Sequence, residues 1–131
     1  MSNEKFRILI VDDNEVFRDL LRKHLQRSFP TVAFEEATNG DEALREVDAF
    51  LPNLIFMDIR LPGEDGTILT KKIKTTHPDI IIFLMTFYDT PEYRKDAFQC
   101  GADRLLPKIH WDWAEIDELI KNHQKVQTTS L

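Results

Sequence analysis

The sequence predicts an α/β domain built on a five-stranded parallel sheet with helices on both faces, and three observations carry that prediction. Five short apolar runs alternate with five amphipathic stretches, the order that builds right-handed strand–helix–strand crossovers. The fourth run, Asp79 to Met85 (DIIIFLM), is apolar without alternation, as expected of a strand covered on both faces. The first and third runs stop abruptly at acids, Asp12-Asp13 and Asp58. In an open parallel sheet that carboxyl edge is where ligands bind.

Taken in order, Phe6 to Val11 (FRILIV) is the first strand. A helix from about Asn14 to Ser28 follows, with Val16, Phe17, Leu20, Leu21 and Leu25 at helical spacing, Asp13 or Asn14 placed to cap it, and Pro30 to stop it. Val32 to Glu36 alternates weakly as a second strand, and Asn39-Gly40 turns into a helix carrying Ala43, Leu44, Val47 and Phe50. Leu54 to Met57 is the third strand, delivering Asp58, and the Pro62, Gly63, Gly66 cluster shapes the loop after it. Thr67 to Thr76 is a helix bearing Ile68, Leu69 and Ile73, ended by Pro78. The fourth strand ends at Thr86. Pro91 opens a helix to about Gln99 that Gly101 closes. Ala102 to Leu106 is a short last strand reaching Lys108, and a final helix from about Trp111 to Lys125 buries Ile116, Leu119 and Ile120. One domain over residues 1–126 is expected, with a frayed tail over 127–131. The strand order expected is 2-1-3-4-5, the flavodoxin-like doubly wound arrangement, which opens a crevice between strands one and three.

Composition excludes several function classes. The 131 residues suit a single module, and 42% hydrophobic with 31% charged residues is an ordinary soluble balance. No apolar run approaches a membrane span and MSNEKFRIL lacks a signal-peptide design, so a cytoplasmic location is expected. The lone Cys100 has no partner for an internal disulfide. A net charge of −6 with scattered basic residues argues against nucleic-acid binding by this domain; Lys71, Lys72 and Lys74 read as a solvated helix face. His24, His77, His110 and His123 are scattered and read as surface or packing residues rather than ligands, and core packing is expected for at least one of Trp111 and Trp113.

The predicted topology puts Asp12, Asp13, Asp58, Thr86 and Lys108 at the same edge of the sheet. Three gathered carboxylates repel, and without a cation at least one should have its pKa raised. Carboxylates, a backbone carbonyl and waters suit Mg²⁺, whereas the lack of His or Cys disfavours zinc. A carboxylate beside Mg²⁺ is a nucleophile toward phosphorus, Lys108 would neutralise a phosphoryl oxygen, and the Thr86 hydroxyl would donate to another. Singly, each residue has a plainer explanation: Asp13 as a helix cap, Asp58 as a turn former, Lys108 as a solvated charge, Thr86 as a β-branched strand residue. Their joint occurrence is what points to chemistry.

VDDNE, MDIRLPGEDG, the hydroxyl residue ending strand four and GADRLLPK stand in order over about Arg7 to Gln124, and in this the chain resembles the receiver domain of two-component response regulators. The resemblance implies that Asp58 accepts a phosphoryl group from a histidine kinase or a phosphotransfer protein. It implies Mg²⁺ bound through Asp13, Asp58 and the backbone carbonyl of Arg60, with Asp12 acting largely through metal-bound water. It further implies that Thr86 moves inward on phosphorylation and that the surface of helix four, strand five and helix five repacks as a protein-interaction face. The expected activity is a signalling switch with self-catalysed phosphorylation and dephosphorylation, not metabolic turnover. The expected partners are the kinase or phosphotransfer protein, a downstream protein or an effector domain beyond this segment, and a second copy in a homodimer.

Three positions depart from the family pattern. Ile109 follows Lys108 where proline is frequent, so a trans bond is expected. Leu105 stands where many members carry a switch Tyr or Phe, so switching is expected to work through Thr86 and repacking of Leu105 or of nearby aromatics such as Tyr93. Phe87 and Tyr88 follow Thr86 in place of a small residue, and Phe87 is expected to roof the pocket partly. Two rival readings remain: a degenerate receiver used as a constitutive interaction module, and an aspartyl-phosphate phosphatase of the haloacid dehalogenase kind. The second wants an acid two residues after its nucleophile, where this chain has Arg60. A flavin-binding role is disfavoured by acids in VDDNE, where a Ser/Thr-rich phosphate loop would be needed.

Overall fold

A computed structural model describes residues 5–129, the side chains of 126–129 excepted. Its elements are β1 (Arg7–Val11), α1 (Glu15–Ser28), β2 (Ala33–Ala37), α2 (Gly40–Phe50), β3 (Leu54–Asp58), α3 (Gly66–Thr76), β4 (Ile81–Thr86), α4 (Pro91–Cys100), β5 (Arg104–Pro107) and α5 (Trp113–Thr129). The strands form one parallel sheet in the order β2-β1-β3-β4-β5, as expected.

Period-two alternation divides the sheet's side chains between two cores. Leu9, Val11, Ile55, Met57, Ile82 and Leu84 face Ala43 and Val47 of α2, Leu69 and Ile73 of α3, and Ala97 of α4. Ile8, Ile10, Leu54, Phe56, Phe83 and Met85 face Leu21 and Leu25 of α1 and Ile116 and Ile120 of α5. Every residue of β3 is buried. Each Leu, Ile or Phe removed from water in this way contributes roughly 1.5–3 kcal/mol before chain entropy is subtracted, so the central strands are the stiffest platform from which to present a side chain.

Local chemistry sets the helix ends. Asn14 rather than Asp13 caps α1, its side chain accepting the Phe17 N–H at 3.0 Å; Asn39 caps α2 and Asp65 caps α3 in the same way. Gly101 closes α4 in the left-handed conformation at φ 93°. Several expected boundaries shift. β4 begins at Ile81 rather than Asp79, because a turn carries the Ile80 N–H to the His77 carbonyl at 3.2 Å. β5 begins at Arg104 rather than Ala102, whose N–H closes α4 on Ala97 at 3.2 Å. α5 begins at Trp113 rather than Trp111, because the Asp112 carboxylate accepts the Ala114 and Glu115 N–H groups. It runs to Thr129, past the expected end near Lys125; residues 130 and 131 of the expected tail lie outside the described residues.

Not every apolar residue at helical spacing is buried. Val16, Leu20 and Ile68 are 71%, 56% and 52% exposed, since α1 and α3 each turn one stripe to the sheet and these positions lie beside it. Trp111 and Trp113 both pack against the α1–α5 core. His24 pairs with Asp117 at 2.9 Å and stacks on Trp113, His123 lies against Phe83, and Lys72 and Lys74 pair with Glu64 and Asp103 at the surface.

Candidate functional site

The acids reach the sheet edge because their strands do. Val11 and Met57 are in register, as are Asp58 and Met85, and Thr86 and Pro107. Asp12, Asp58, Thr86 and Lys108 therefore emerge beside one another, and all four are buried. The Lys108 N–H donates to the Thr86 carbonyl at 2.7 Å, fixing the end of β5 to the end of β4. The peptide bond to Ile109 is trans, as expected.

One carboxylate oxygen from each of Asp12, Asp13 and Asp58 lies within 4.8 Å of the others. Asp12 is fully buried and held twice: one oxygen accepts the Asn14 N–H at 2.9 Å, the other accepts from Lys108 Nζ at 2.7 Å. Lys108 Nζ lies 3.5 Å from the nearer Asp58 oxygen, close enough to neutralise charge but beyond a good hydrogen bond. Asp13 is exposed at the mouth. The Arg60 guanidinium lies 4.3 Å over the Tyr88 ring and donates to the Tyr93 hydroxyl at 3.3 Å. Thr86 Oγ1 accepts the Tyr88 N–H at 2.9 Å and donates to the Tyr88 carbonyl at 3.4 Å.

Gly66 makes the loop after β3 possible. Its N–H donates to the Ile59 carbonyl at 2.7 Å, and a Cβ there would stand 2.2 Å from the Asp58 carbonyl oxygen. Two residues that the sequence did not mark as functional also belong to the site. Phe17 places its ring 4.4 Å from Lys108 Nζ, and Arg18 donates to the Asp12 carbonyl at 2.7 Å while bonding Glu36. Helical spacing made Phe17 look like a core residue only, and nothing local pointed Arg18 toward Asp12. Phe87, half exposed, has its ring 4.9 Å from the same ammonium.

Burial pushes the Asp58 carboxyl up from 3.8 to about 7; the Asp12 charge adds to this, while Lys108 and the Arg60 N–H oppose it. Between these two values the folded chain holds a proton that the unfolded chain has released, so metal-free stability is lost as pH rises from about 4 to about 7. Thermal melts in chelator from pH 5 to 7.5 should therefore show a falling midpoint that Asp58→Asn flattens. Equal slopes in the two proteins would show that Asp58 does not titrate in this range.

Residues 8–121 match the family described as the response regulator receiver domain. The chain is 37% identical over 101 residues to the chemotaxis protein CheY of Halobacterium salinarum, covering 77% of this chain and 82% of that one. It is 36% identical over 121 residues to the sensory transduction protein LytT of Bacillus subtilis, covering 92% of this chain but 48% of LytT. Against the transcriptional regulator NtrC of Salmonella typhimurium it is 32% identical, spanning 92% of this chain and 26% of that protein. A CheY-like receiver structure from Methanospirillum hungatei superposes with a TM-score of 0.86 over 98% of this chain and 100% of its own, at 28% identity. The family match over the whole folded unit and the shared five-stranded architecture agree: this chain belongs to the receiver domains of two-component response regulators, which are signalling domains rather than metabolic enzymes.

Proposed function

We propose that Asp58 accepts a phosphoryl group from a histidine kinase or a phosphotransfer protein, in a Mg²⁺-dependent reaction that switches a protein-interaction face. The observation that carries this reading is the convergence on Asp58 of a buried ammonium 3.5 Å away and two further acids. An oxygen-only donor set with surplus negative charge fits a hard divalent cation. Asp12, Asp13, Asp58 and the backbone carbonyl of Arg60 would hold it, and when bound it would neutralise the charge that otherwise repels a phosphoryl donor. The Asp58 carboxylate oxygen attacks phosphorus as the bond to the donor nitrogen breaks, and the departing imidazole takes up a proton. Lys108 and the Thr86 hydroxyl then each have one phosphoryl oxygen to meet.

The switch follows from what Thr86 must give up. Its hydroxyl is engaged with both backbone groups of Tyr88; turning toward the phosphoryl group releases them. Tyr88 underlies Arg60, and Arg60 donates to Tyr93 in the first turn of α4. This route bypasses Leu105 and reaches a helix whose outer face presents Phe98, 89% exposed. The downstream contact, an effector domain beyond this segment or a separate protein, or a second copy in a homodimer, would read that helix.

Intact-mass analysis tests the acceptor. Incubation with Mg²⁺ and acetyl phosphate, or with a phosphorylated kinase, should add one phosphoryl group, and Asp58→Asn should add none. The Tyr88 amide resonance should shift in the labelled wild type. An adduct that persists in Asp58→Asn, or none from either donor, would overturn the reading; a labelled protein with an unmoved Tyr88 amide would overturn the relay alone.

A further inference from the structure

We propose that Phe17 and Phe87 are positioning residues, a two-ring clamp that holds the Lys108 ammonium toward Asp58. This rests on the reading of Asp58 as phosphoryl acceptor. A lysine is a point charge on a flexible four-carbon stem with three donors. The Lys108 side chain is only 1% exposed, so water cannot orient its head. Asp12 accepts one hydrogen bond at 2.7 Å, and Asp58 at 3.5 Å does not fix the direction of the others. The rings complete the shell: Phe17 at 4.4 Å and Phe87 at 4.9 Å from Nζ, both inside the roughly 6 Å range over which an aromatic face attracts a cation.

The two rings differ in how they are held. Phe17, on α1, is braced by Trp111 at 5.2 Å with the ring planes at 85°, a favourable edge-to-face contact. Trp111 in turn lies 6.4 Å from Phe56 in the fully buried β3. Phe17 is thus the fixed jaw, tied to the stiffest strand. Phe87 is half exposed and directly follows Thr86, so it is the jaw that moves when Thr86 moves. The clamp constrains the ammonium without consuming its donors, leaving it free to pass from Asp12 to a phosphoryl oxygen. A plain core role for Phe17 and a plain loop role for Phe87 would require only apolar bulk, which leucine supplies as well.

The test uses the whole chain with Phe17→Leu, Phe87→Leu and Phe87→Tyr, labelled by acetyl phosphate at saturating Mg²⁺ and followed by intact mass. Each leucine variant should label about fivefold to tenfold more slowly, the size expected for a largely desolvated cation–π contact, and Phe87→Tyr should stay within about twofold of wild type by the same principle. A second readout needs no phosphorylation: the Lys108 Hε resonances should sit upfield in the wild type and move toward ordinary lysine values in both leucine variants. Unmoved Lys108 resonances, or Phe87→Leu labelling as fast as Phe87→Tyr, would overturn the clamp. If the wild type gives no adduct, the acceptor reading fails while the Lys108 resonances still decide the clamp. If Phe17→Leu does not fold, the Phe87 pair decides it.

Discussion

Gly66→Ala is expected to destabilise the fold by more than about 3 kcal/mol, beyond the usual cost of an extra methyl in a packed site. The added Cβ would lie 2.2 Å from the Asp58 carbonyl oxygen and 2.8 Å from the Ile59 Cα. Both obstacles are backbone, so no rotamer change relieves them, and moving that backbone drags the end of β3 and the Asp58 side chain with it. For a domain of this size the loss corresponds to a melting midpoint lower by roughly 10 °C. Gly63→Ala is the control: nothing lies within 4 Å of its Cβ position, and only its φ of 85° is unfavourable, a cost of roughly 1–2 kcal/mol. Urea midpoints of the two variants should separate clearly. If Gly66→Ala unfolds with the wild-type midpoint, the loop is not locked to β3 as the structure has it.

Lys108→Met is expected to cost about 3–5 kcal/mol at pH 7.5 in chelator, the range for removing one partner of a buried ion pair. The substitution retains most of the stem's bulk but takes from Asp12, fully buried, the ammonium that donates to it at 2.7 Å. Lys108 also lowers the Asp58 pKa, so its loss drives that carboxyl further above about 7 and extends the pH range over which the metal-free fold prefers to be protonated. Two conditions should restore part of the loss: acidification to pH 5, which completes the protonation of Asp58, and Mg²⁺, which replaces the missing positive charge. Phosphoryl labelling should fall about a hundredfold or more, the usual effect of removing one preorganised group from a developing oxyanion. Chemical denaturation across pH with and without Mg²⁺ measures the first part, intact-mass kinetics the second. A variant as stable as wild type in chelator would mean that Asp12 and Asp58 do not depend on this ammonium.

Much of the fold and the acid site was legible because their signals are local. An apolar run that stops at Asp58 says where a strand surfaces, Asn14, Asn39 and Gly101 say where helices begin or end, and alternation of strand and helix restricts the topology to crossovers. The departures at Leu105, Phe87 and Ile109 were equally plain as letters. What they mean was not. The contacts of Arg60 with Tyr88 and Tyr93 join a loop, a strand end and a helix, and no spacing rule connects residues from three elements.

By itself, then, the sequence determined the element order, the sheet and the arrival of Asp12, Asp58, Thr86 and Lys108 at one edge, because hydrophobic period, caps and crossover handedness act over a few residues at a time. Only the tertiary structure decided which face of each helix is covered. Val16, Leu20 and Ile68 share the helical spacing of buried neighbours yet face outward, and Phe17, which looked like ordinary core, sits against the Lys108 ammonium. The rotation of a helix about its own axis is set by the side chains of the sheet and of the neighbouring helix that it packs on. Those partners are distant in the chain, so the roles of Phe17 and Arg18 become readable only after the chain has folded.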